Sequence, residues 1–212
     1  MLPLDDRVAE RIRPEVAGRP TLIKGSSQLL FGGMGRLSES SVLSIKNRSH
    51  SVTAEVVVPD GGASGVIIAQ GGSIGGWSLY AKDGRPRYCY NLLGIERFYV
   101  DGERELPPGR HQVRMELAYD GGGLGKGGTV TLYLDGDRIG EGRVDATAAM
   151  IFSADDTCDV GRESGALVTP DYGARDNAFT GEVVWVQLDV GDDDPDHFVT
   201  AEERIKVAMA QQ

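Results

Sequence analysis

The chain has 212 residues, a length that one all-β domain can reach, and 40% of them are hydrophobic, which is enough for a packed core. Its 22 basic and 32 acidic residues give a net charge of −10, which argues against nucleic acid and membranes as partners. Thirty glycines, about twice an average share of roughly 7%, indicate many tight turns and many short strands.

Helical spacing is confined to the two ends of the chain. Val8 and Ile12 lie four residues apart ahead of Pro14, and we predict a linker segment over residues 1–20. No apolar run of a signal peptide precedes the predicted β-sandwich domain, residues 21–191, so we expect a cytoplasmic protein by default.

The last segment, residues 192–212, is predicted to be an acidic connector followed by a helix. Thr200 and Glu203 have the spacing of a capping box, which marks the start of a helix. Ile205, Ala208 and Met209 are expected to share the apolar face of that helix.

Alternation with a period of two dominates the chain between these ends. It is clearest in the runs around Val52–Val58, Val113–Tyr119, Val130–Leu134 and Val184–Val190. Asp83-Gly84 and Asp135-Gly136 separate such runs, and Asp-Gly is a strong hairpin signal. Roughly ten to twelve strands without strand–helix alternation predict an all-β fold. We expect an antiparallel two-sheet jelly-roll sandwich, of the concanavalin A or laminin G type, with short terminal helices; a closed barrel is the alternative.

A glycine-rich stretch, "YDGGGLGKGGTVTLYLDGD", could be taken for a phosphate cradle. Gly123, Gly125 and Gly128 satisfy G-x-G-x-x-G, but a strand follows where dinucleotide binding needs a helix. Lys126 is followed by Gly127, not by the Ser or Thr of a phosphate-binding loop. The stretch is therefore predicted to be a flexible connection between two antiparallel strands.

Acidic side chains offer a possible calcium site, although we predict no resident cofactor. The longest stretch without periodicity runs from Asp159 to Gly181, and loops of this length are often functional. The candidate oxygen ligands are Asp155, Asp156 and Asp159, and the run of Asp189, Asp192, Asp193, Asp194 and Asp196. The spacing is not that of an EF-hand, and a solvated connector is the alternative for the second group.

Cysteine and histidine chemistry is sparse. Cys89 and Cys158 lie 69 residues apart, and we expect two buried free thiols, with one disulfide as the alternative. The three histidines, His50, His111 and His197, lie in no nucleophile or metal motif and are expected to be surface or hydrogen-bonded residues.

Aromatic side chains suggest a platform for carbohydrate. Tyr88 and Tyr90 share one strand face next to Asn91, and Trp77 lies in a neighbouring predicted strand. An aromatic ring can stack on the apolar face of a sugar, so these four residues are the candidate carbohydrate site. Packing of the rings between the two sheets is the alternative.

Several long segments carry a resemblance to a known family. They are "VAGRPTLIKG", "IKNRSHSVTAEV", "GVIIAQGGSIGGWSLYAKDGRPRYCYN", "AYDGGGLGKGGTVTLYLDG" and "FTGEV". With them the chain resembles, from about Leu4 to its end, the C-terminal region of large bacterial-type arylsulfatases. The resemblance implies a parent that hydrolyses sulfate esters with a formylglycine made from the Cys or Ser of C/S-x-P-x-R.

That reactive motif is not in this chain. None of the nine prolines has Cys or Ser two positions ahead of it, so no catalytic residue can be carried over. The resemblance therefore predicts a non-catalytic accessory domain that packs on a sulfatase catalytic domain, shapes its substrate entrance or mediates homo-oligomerisation. The alternative is a free-standing lectin-like module that binds a glycan.

Overall fold

The computed structural model describes residues 22–191 and 197–211, and its architecture is a sandwich of two antiparallel sheets. The strands are β1 (Ser27–Phe31), β2 (His50–Val58), β3 (Gly65–Gly72), β4 (Gly75–Lys82), β5 (Arg85–Leu92), β6 (Glu96–Asp101), β7 (Gly109–Tyr119), β8 (Lys126–Leu134), β9 (Asp137–Ala146), β10 (Cys158–Val160) and β11 (Glu182–Val190). One helix, α1, spans Ala201–Ala210, and a short 3-10 turn spans Glu39–Ser41. The predicted all-β, jelly-roll-like sandwich is confirmed.

The chain crosses between the sheets four times after β2. Strands β3 to β6 form consecutive hairpins in a five-stranded sheet of order β10-β3-β4-β5-β6. Strands β7 to β9 return to a six-stranded sheet of order β1-β11-β2-β7-β8-β9. Strand β11 inserts between β1 and β2, so the two ends of the sandwich domain lie side by side in one sheet.

The core lies between the sheets because every strand turns alternate residues inward. Val52, Ala54 and Val56 are all fully buried on β2, and Met115 and Leu132 face them from β7 and β8. The five-stranded sheet contributes the large side chains that fill the space opposite, Ile67, Ile68, Trp77, Leu79, Tyr88 and Tyr90.

The outer face of the five-stranded sheet is also covered. The long loop after β10 lies over it and packs Val168 and Tyr172 against Val66, Tyr80 and Cys89. This loop is the stretch that lacked periodicity in the sequence, and it forms a second layer of buried contacts in place of a strand.

Helix α1 covers part of the outer face of the six-stranded sheet. Its capping box is present, with Thr200 and Glu203 bonded to each other's backbone N–H as predicted. Val207 and Ala208 pack toward the small outer cluster of Leu29, Trp185 and Val199. The predicted apolar face is wrong in part: Ile205 and Met209 are 55% and 70% exposed, because the sheet beneath the helix is contacted by the neighbouring side of the helix.

The two Asp-Gly pairs form hairpin turns, as the sequence predicts. Asp83-Gly84 and Asp135-Gly136 connect successive strands with positive φ at both positions, +50° and +76° in the first and +53° and +86° in the second. Asp and Gly tolerate this left-handed backbone, which matches the twist of the strands they join. Both hairpins predicted from Asp-Gly are confirmed.

The domain boundaries stay predictions. All strands of the described chain lie between Ser27 and Val190, within the predicted sandwich. The predicted linker over residues 1–20, and the acidic run of the connector at residues 192–196, lie outside the described residues. No helix in the described chain has the length and hydrophobicity needed to cross a membrane.

Candidate functional site

Polar residues form an ordered surface on the outer face of the six-stranded sheet. Strand register aligns Ser27, Asp189, Ser51 and Glu116 in one row across β1, β11, β2 and β7. The adjacent row consists of Leu29, Gln187, Thr53 and Arg114. These side chains point away from the core because their neighbours along each strand point into it.

A groove of about 360 Å³ lies where this polar surface meets helix α1. The sheet and the residues beside it supply Ser27, Ser51, Arg114, Gln187, Asp189, Val190 and Gly191. Val199 and the helix residues Glu203, Lys206 and Val207 complete the lining. The groove therefore combines hydroxyl, amide, carboxylate, guanidinium and ammonium groups in a volume that suits one small polar ligand.

Gln187 is the residue that marks this groove as a site. It is only 4% exposed, and its Nε2 donates to both carboxylate oxygens of Asp189, at 3.2 and 3.0 Å. The carboxylate only accepts hydrogen bonds, so the amide nitrogen must face it and the amide oxygen must point elsewhere. That Oε1 atom is buried and has no hydrogen-bond partner among the described residues. A buried amide oxygen left unpaired costs about 1–3 kcal/mol, so Gln187, which lines the groove, carries an acceptor without a donor among the described residues.

Arg114 is held rigidly at the side of the groove. Its Nε donates to Glu116 Oε1 at 2.6 Å and its Nη1 to Thr53 Oγ1 at 2.8 Å. Nδ1 of His197 lies 2.8 Å from the same Glu116 oxygen, and the His197 ring stacks on Tyr133 at 4.2 Å. Within the described part of the chain no hydrogen bond uses Arg114 Nη2, which leaves a fixed, largely buried donor for a ligand.

The charged residues on the helix side of the groove already take part in other interactions. Glu203 Oε2 accepts from Thr200 in the capping box, at 2.8 Å from the backbone nitrogen. Lys206 forms an i,i+4 ion pair with Glu202 at 3.0 Å, and its side chain is 70% exposed. An exposed pair of this kind contributes little energy, so Lys206 can reorient at low cost.

The four residues predicted to bind carbohydrate lie elsewhere and are all buried. Trp77, Tyr88 and Asn91 are 0% exposed and Tyr90 is 3% exposed. Trp77 donates to Gln70 Oε1 at 3.1 Å, and Tyr90 Oη accepts from the backbone nitrogen of Ala148 at 2.7 Å. A ring with no exposed face cannot stack on a sugar, so the alternative of packing between the sheets describes these aromatics.

Asn91 joins two hairpin turns. Its Nδ2 donates to the carbonyl oxygens of Gly72 and Ser73, at 2.8 and 3.1 Å, and its Oδ1 accepts from Gly94. These bonds connect backbone groups of the β3–β4 turn to those of the β5–β6 turn. The residue therefore has a structural role at this place.

Asp156 and Asp159, two of the aspartates considered for calcium, accept hydrogen bonds. Asp159 is fully buried, and its Oδ1 accepts from the Arg36 backbone and from Ser164 Oγ, both at 2.7 Å. Asp156 accepts from Ser153 Oγ at 2.9 Å. Across residues 22–191 and 197–211 no group of three His, Cys, Asp or Glu side chains has an arrangement that could hold a metal ion. The run at Asp192–Asp196 lies outside the described residues.

The cysteines and histidines are all in packed or hydrogen-bonded positions. Cys89 and Cys158 are buried and free, as predicted. His111 lies 2.7 Å from Asp135, and His50 is buried with its Nδ1 3.0 Å from the Arg48 carbonyl oxygen. That carbonyl only accepts, so His50 carries its proton on Nδ1.

Sequence reasoning missed the groove because its polar residues occupy the outward positions of amphipathic strands. Such positions normally face solvent, so Gln187, Ser51 and Arg114 had no distinguishing feature. A usable signal was present in the helix predicted after Thr200. A short terminal helix has to pack on some surface, and the nearest sheet face in sequence is that of β11, which carries Gln187 and Asp189.

Comparison with solved structures identifies proteins that share the fold. The chain is similar to the CBM40 of the Ruminococcus gnavus IT-sialidase bound to alpha2,3 sialyllactose, with 14% identity, a TM-score of 0.53, and coverage of 84% of this chain and 97% of that one. A second structure of that CBM40 gives 16% identity, a TM-score of 0.51, and coverage of 82% and 95%. No protein-family model matches the chain, and no curated protein matches it in sequence.

These findings contradict the resemblance to arylsulfatases. The similar structures with a TM-score of at least 0.50 described here are all of a sialidase CBM40, and none of them is a sulfatase domain. Two of the segments that carried the resemblance, residues 45–56 and 65–91, lie largely in strands and hairpin turns of the sandwich itself. Their composition reflects the alternation and tight turns that the fold demands. The predicted sulfatase relationship is wrong, and the comparisons do not support a sulfatase domain as partner.

Proposed function

We propose that this chain is a glycan-binding module whose ligand occupies the groove between the six-stranded sheet and helix α1. The observation that carries the proposal is the unpaired Oε1 of Gln187, a buried acceptor in a polar groove. The atom itself has almost no exposed surface, so a sugar hydroxyl would donate to it after a small shift of the Gln187 amide toward the groove. That bond would remove the cost of leaving the oxygen unpaired.

The other groups of the groove suit a ligand with many hydroxyls. A hydroxyl both donates and accepts, so one sugar ring can donate to Gln187 and Asp189 while it accepts from Arg114. Ser27 and Ser51 can act in either direction. Because Arg114 and Gln187 are buried and already held by neighbours, little side-chain entropy is lost when a ligand binds them.

The fold supports the same proposal. The CBM40 structures similar to this chain are bound to alpha2,3 and alpha2,6 sialyllactose, and the second of these aligns with a TM-score of 0.50. At 14 and 15% identity the likeness concerns the fold, so the groove and not the comparison specifies the residues.

A binding experiment with a matched control tests the proposal. The purified chain is screened on a glycan array that includes both sialyllactoses and lactose, and the bound glycans are then titrated by calorimetry. Gln187→Ala is expected to weaken binding about 10-fold, which corresponds to about 1.4 kcal/mol for one lost hydrogen bond. Gln70→Ala is the control: it removes a similarly buried amide, 3% exposed, that bonds Trp77 far from the groove.

The expected pattern is loss in Gln187→Ala with unchanged affinity in Gln70→Ala at equal folded fraction. Equal affinity of Gln187→Ala and the wild type would show that the glycan does not bind in the groove. A screen in which the wild type retains no glycan would overturn the function itself.

A further inference from the structure

We infer that the groove selects an uncharged, hydroxyl-rich sugar over a sugar that carries a carboxylate. This inference rests on the proposed function and specifies its ligand class. Its basis is the balance between donors and acceptors, and between positive and negative charges, around Gln187.

The groove has more unmet acceptors than unmet cations. Gln187 Oε1 has no donor in the part of the chain that the structure describes. Asp189 shares one amide nitrogen between both carboxylate oxygens, which leaves further lone pairs on each. These atoms need donors, which sugar hydroxyls supply and a carboxylate does not.

The cations of the groove are already compensated. Arg114 and Lys206 are balanced within the lining by Asp189 and Glu203, for a net charge of zero. Each cation also has a carboxylate partner outside the lining, Glu116 at 2.6 Å from Arg114 and Glu202 at 3.0 Å from Lys206. Counting those partners gives two positive and four negative charges, a local net charge of −2.

A ligand carboxylate would therefore enter a negative environment. It would lie close to the Asp189 carboxylate and the Gln187 carbonyl dipole, and both repel it. The chain as a whole carries −10, which lowers the encounter rate of anionic ligands further. An uncharged sugar is not repelled in this way, and its hydroxyl groups can donate hydrogen bonds to the same acceptors.

Matched pairs of glycans test this selectivity. Calorimetry compares lactose with alpha2,3 sialyllactose, galactose with galacturonic acid, and glucose with glucuronic acid, in low and physiological salt. In every pair with measurable binding, the uncharged member is expected to bind at least 10-fold more tightly. Its affinity is expected to change less than twofold with salt, because no ion pair forms on binding.

Asp189→Asn separates charge repulsion from a loss of structure. The variant keeps an oxygen that can accept from Gln187 Nε2 but removes one negative charge. Affinity for the acidic member of each pair is expected to rise at least threefold, while affinity for the uncharged member falls. Met209→Ala, a change at a 70% exposed position of helix α1 outside the groove lining, is expected to leave the uncharged member within twofold of wild type.

Two outcomes overturn the inference in distinguishable ways. Tighter binding of the acidic members, lost in Gln187→Ala and in Lys206→Ala, would leave the glycan-binding function intact and make the selectivity wrong. Failure of every member to bind the wild type would contradict the proposed function, and the inference with it.

Discussion

Glu163 is a carboxylate enclosed between the five-stranded sheet and the long loop that covers it. It is 4% exposed, with Oε2 2.5 Å from Tyr172 Oη and Oε1 2.8 Å from the Val168 nitrogen. The single phenolic proton goes to the carboxylate, so the Ser78 hydroxyl, 2.8 Å away, donates to Tyr172. Burial outweighs these donors and raises the pKa of Glu163 to about 7.

This shift fixes the sign of a pH effect on stability. In the unfolded chain the pKa of Glu163 returns to its ordinary value of 4.5, so between pH 4.5 and 7 the folded state binds more protons. The contribution of Glu163 to stability is therefore most favourable below pH 4.5 and is lost as pH rises through 7. Glu163→Gln keeps an acceptor for Val168 and a donor for Tyr172 but cannot titrate.

We expect the free energy of unfolding of the wild type, relative to Glu163→Gln, to fall by on the order of 2 kcal/mol between pH 5 and pH 8. Urea denaturation at pH 5, 6, 7 and 8 measures it. His50, whose pKa burial lowers to about 4, has the opposite effect on stability as pH falls below 6.5, but it is present in both proteins and cancels in the difference. Parallel stability profiles of the two proteins would contradict the role of Glu163.

Buried side chains also show where residue-level reasoning reaches its limit. The alternation of Tyr88 and Tyr90 correctly placed both rings on one face of a strand. The pattern does not say which face meets the other sheet, because an amphipathic ring suits either surface. Only the packed structure showed that this face is the interior.

Helix α1 is the element that completes the groove. It packs on the sheet through few apolar side chains, Val207 and Ala208 among them, and has no fully buried residue. Most of its stability must therefore come from its N-terminal cap and from contacts such as Arg204 over the Trp185 ring at 5.2 Å.

Thr200→Ala is expected to destabilise helix α1 by about 1 kcal/mol, because it removes the capping side chain. Amide hydrogen exchange of residues 204–210 should become about fivefold faster, while exchange in the strands stays unchanged. Thr200→Ser keeps a hydroxyl and serves as the control. Unchanged exchange of the helix in Thr200→Ala would show that packing and not the cap maintains it.

At the scale of the whole molecule the two sheets share one core. Side chains from both sheets belong to a single buried cluster, which includes Val52 and Leu132 from one sheet and Leu79 and Tyr88 from the other. Separation of the sheets would expose both halves of that cluster at once. Unfolding is therefore expected to be a single cooperative transition.

The fluorescence of the two tryptophans tests this cooperative unfolding independently in the two sheets. Trp77 lies in the five-stranded sheet and Trp185 in the six-stranded sheet, and both are buried. In Trp185→Phe and in Trp77→Phe, the fluorescence of the remaining tryptophan should give the same urea midpoint as circular dichroism of that variant. Different midpoints by the two probes within either variant would mean that one sheet unfolds before the other.

Several features of the fold could be predicted from local sequence. Hairpin turns at Asp83-Gly84 and Asp135-Gly136, the capping box at Thr200 and the inward faces of β2 and β7 all depend on residues close together in the chain. Backbone preferences and alternate burial act over a few residues, so the sequence determined the all-β class, the turns and most of the core by itself.

The tertiary structure alone decided where the proposed ligand site lies. Gln187, Ser51 and Arg114 come from three strands that are far apart in sequence and adjacent in the sheet. Whether an outward polar residue meets water or a neighbouring helix depends on how distant segments pack, and no local pattern encodes that. The groove exists because β11 inserts beside β2 and the chain then returns across the same face as helix α1.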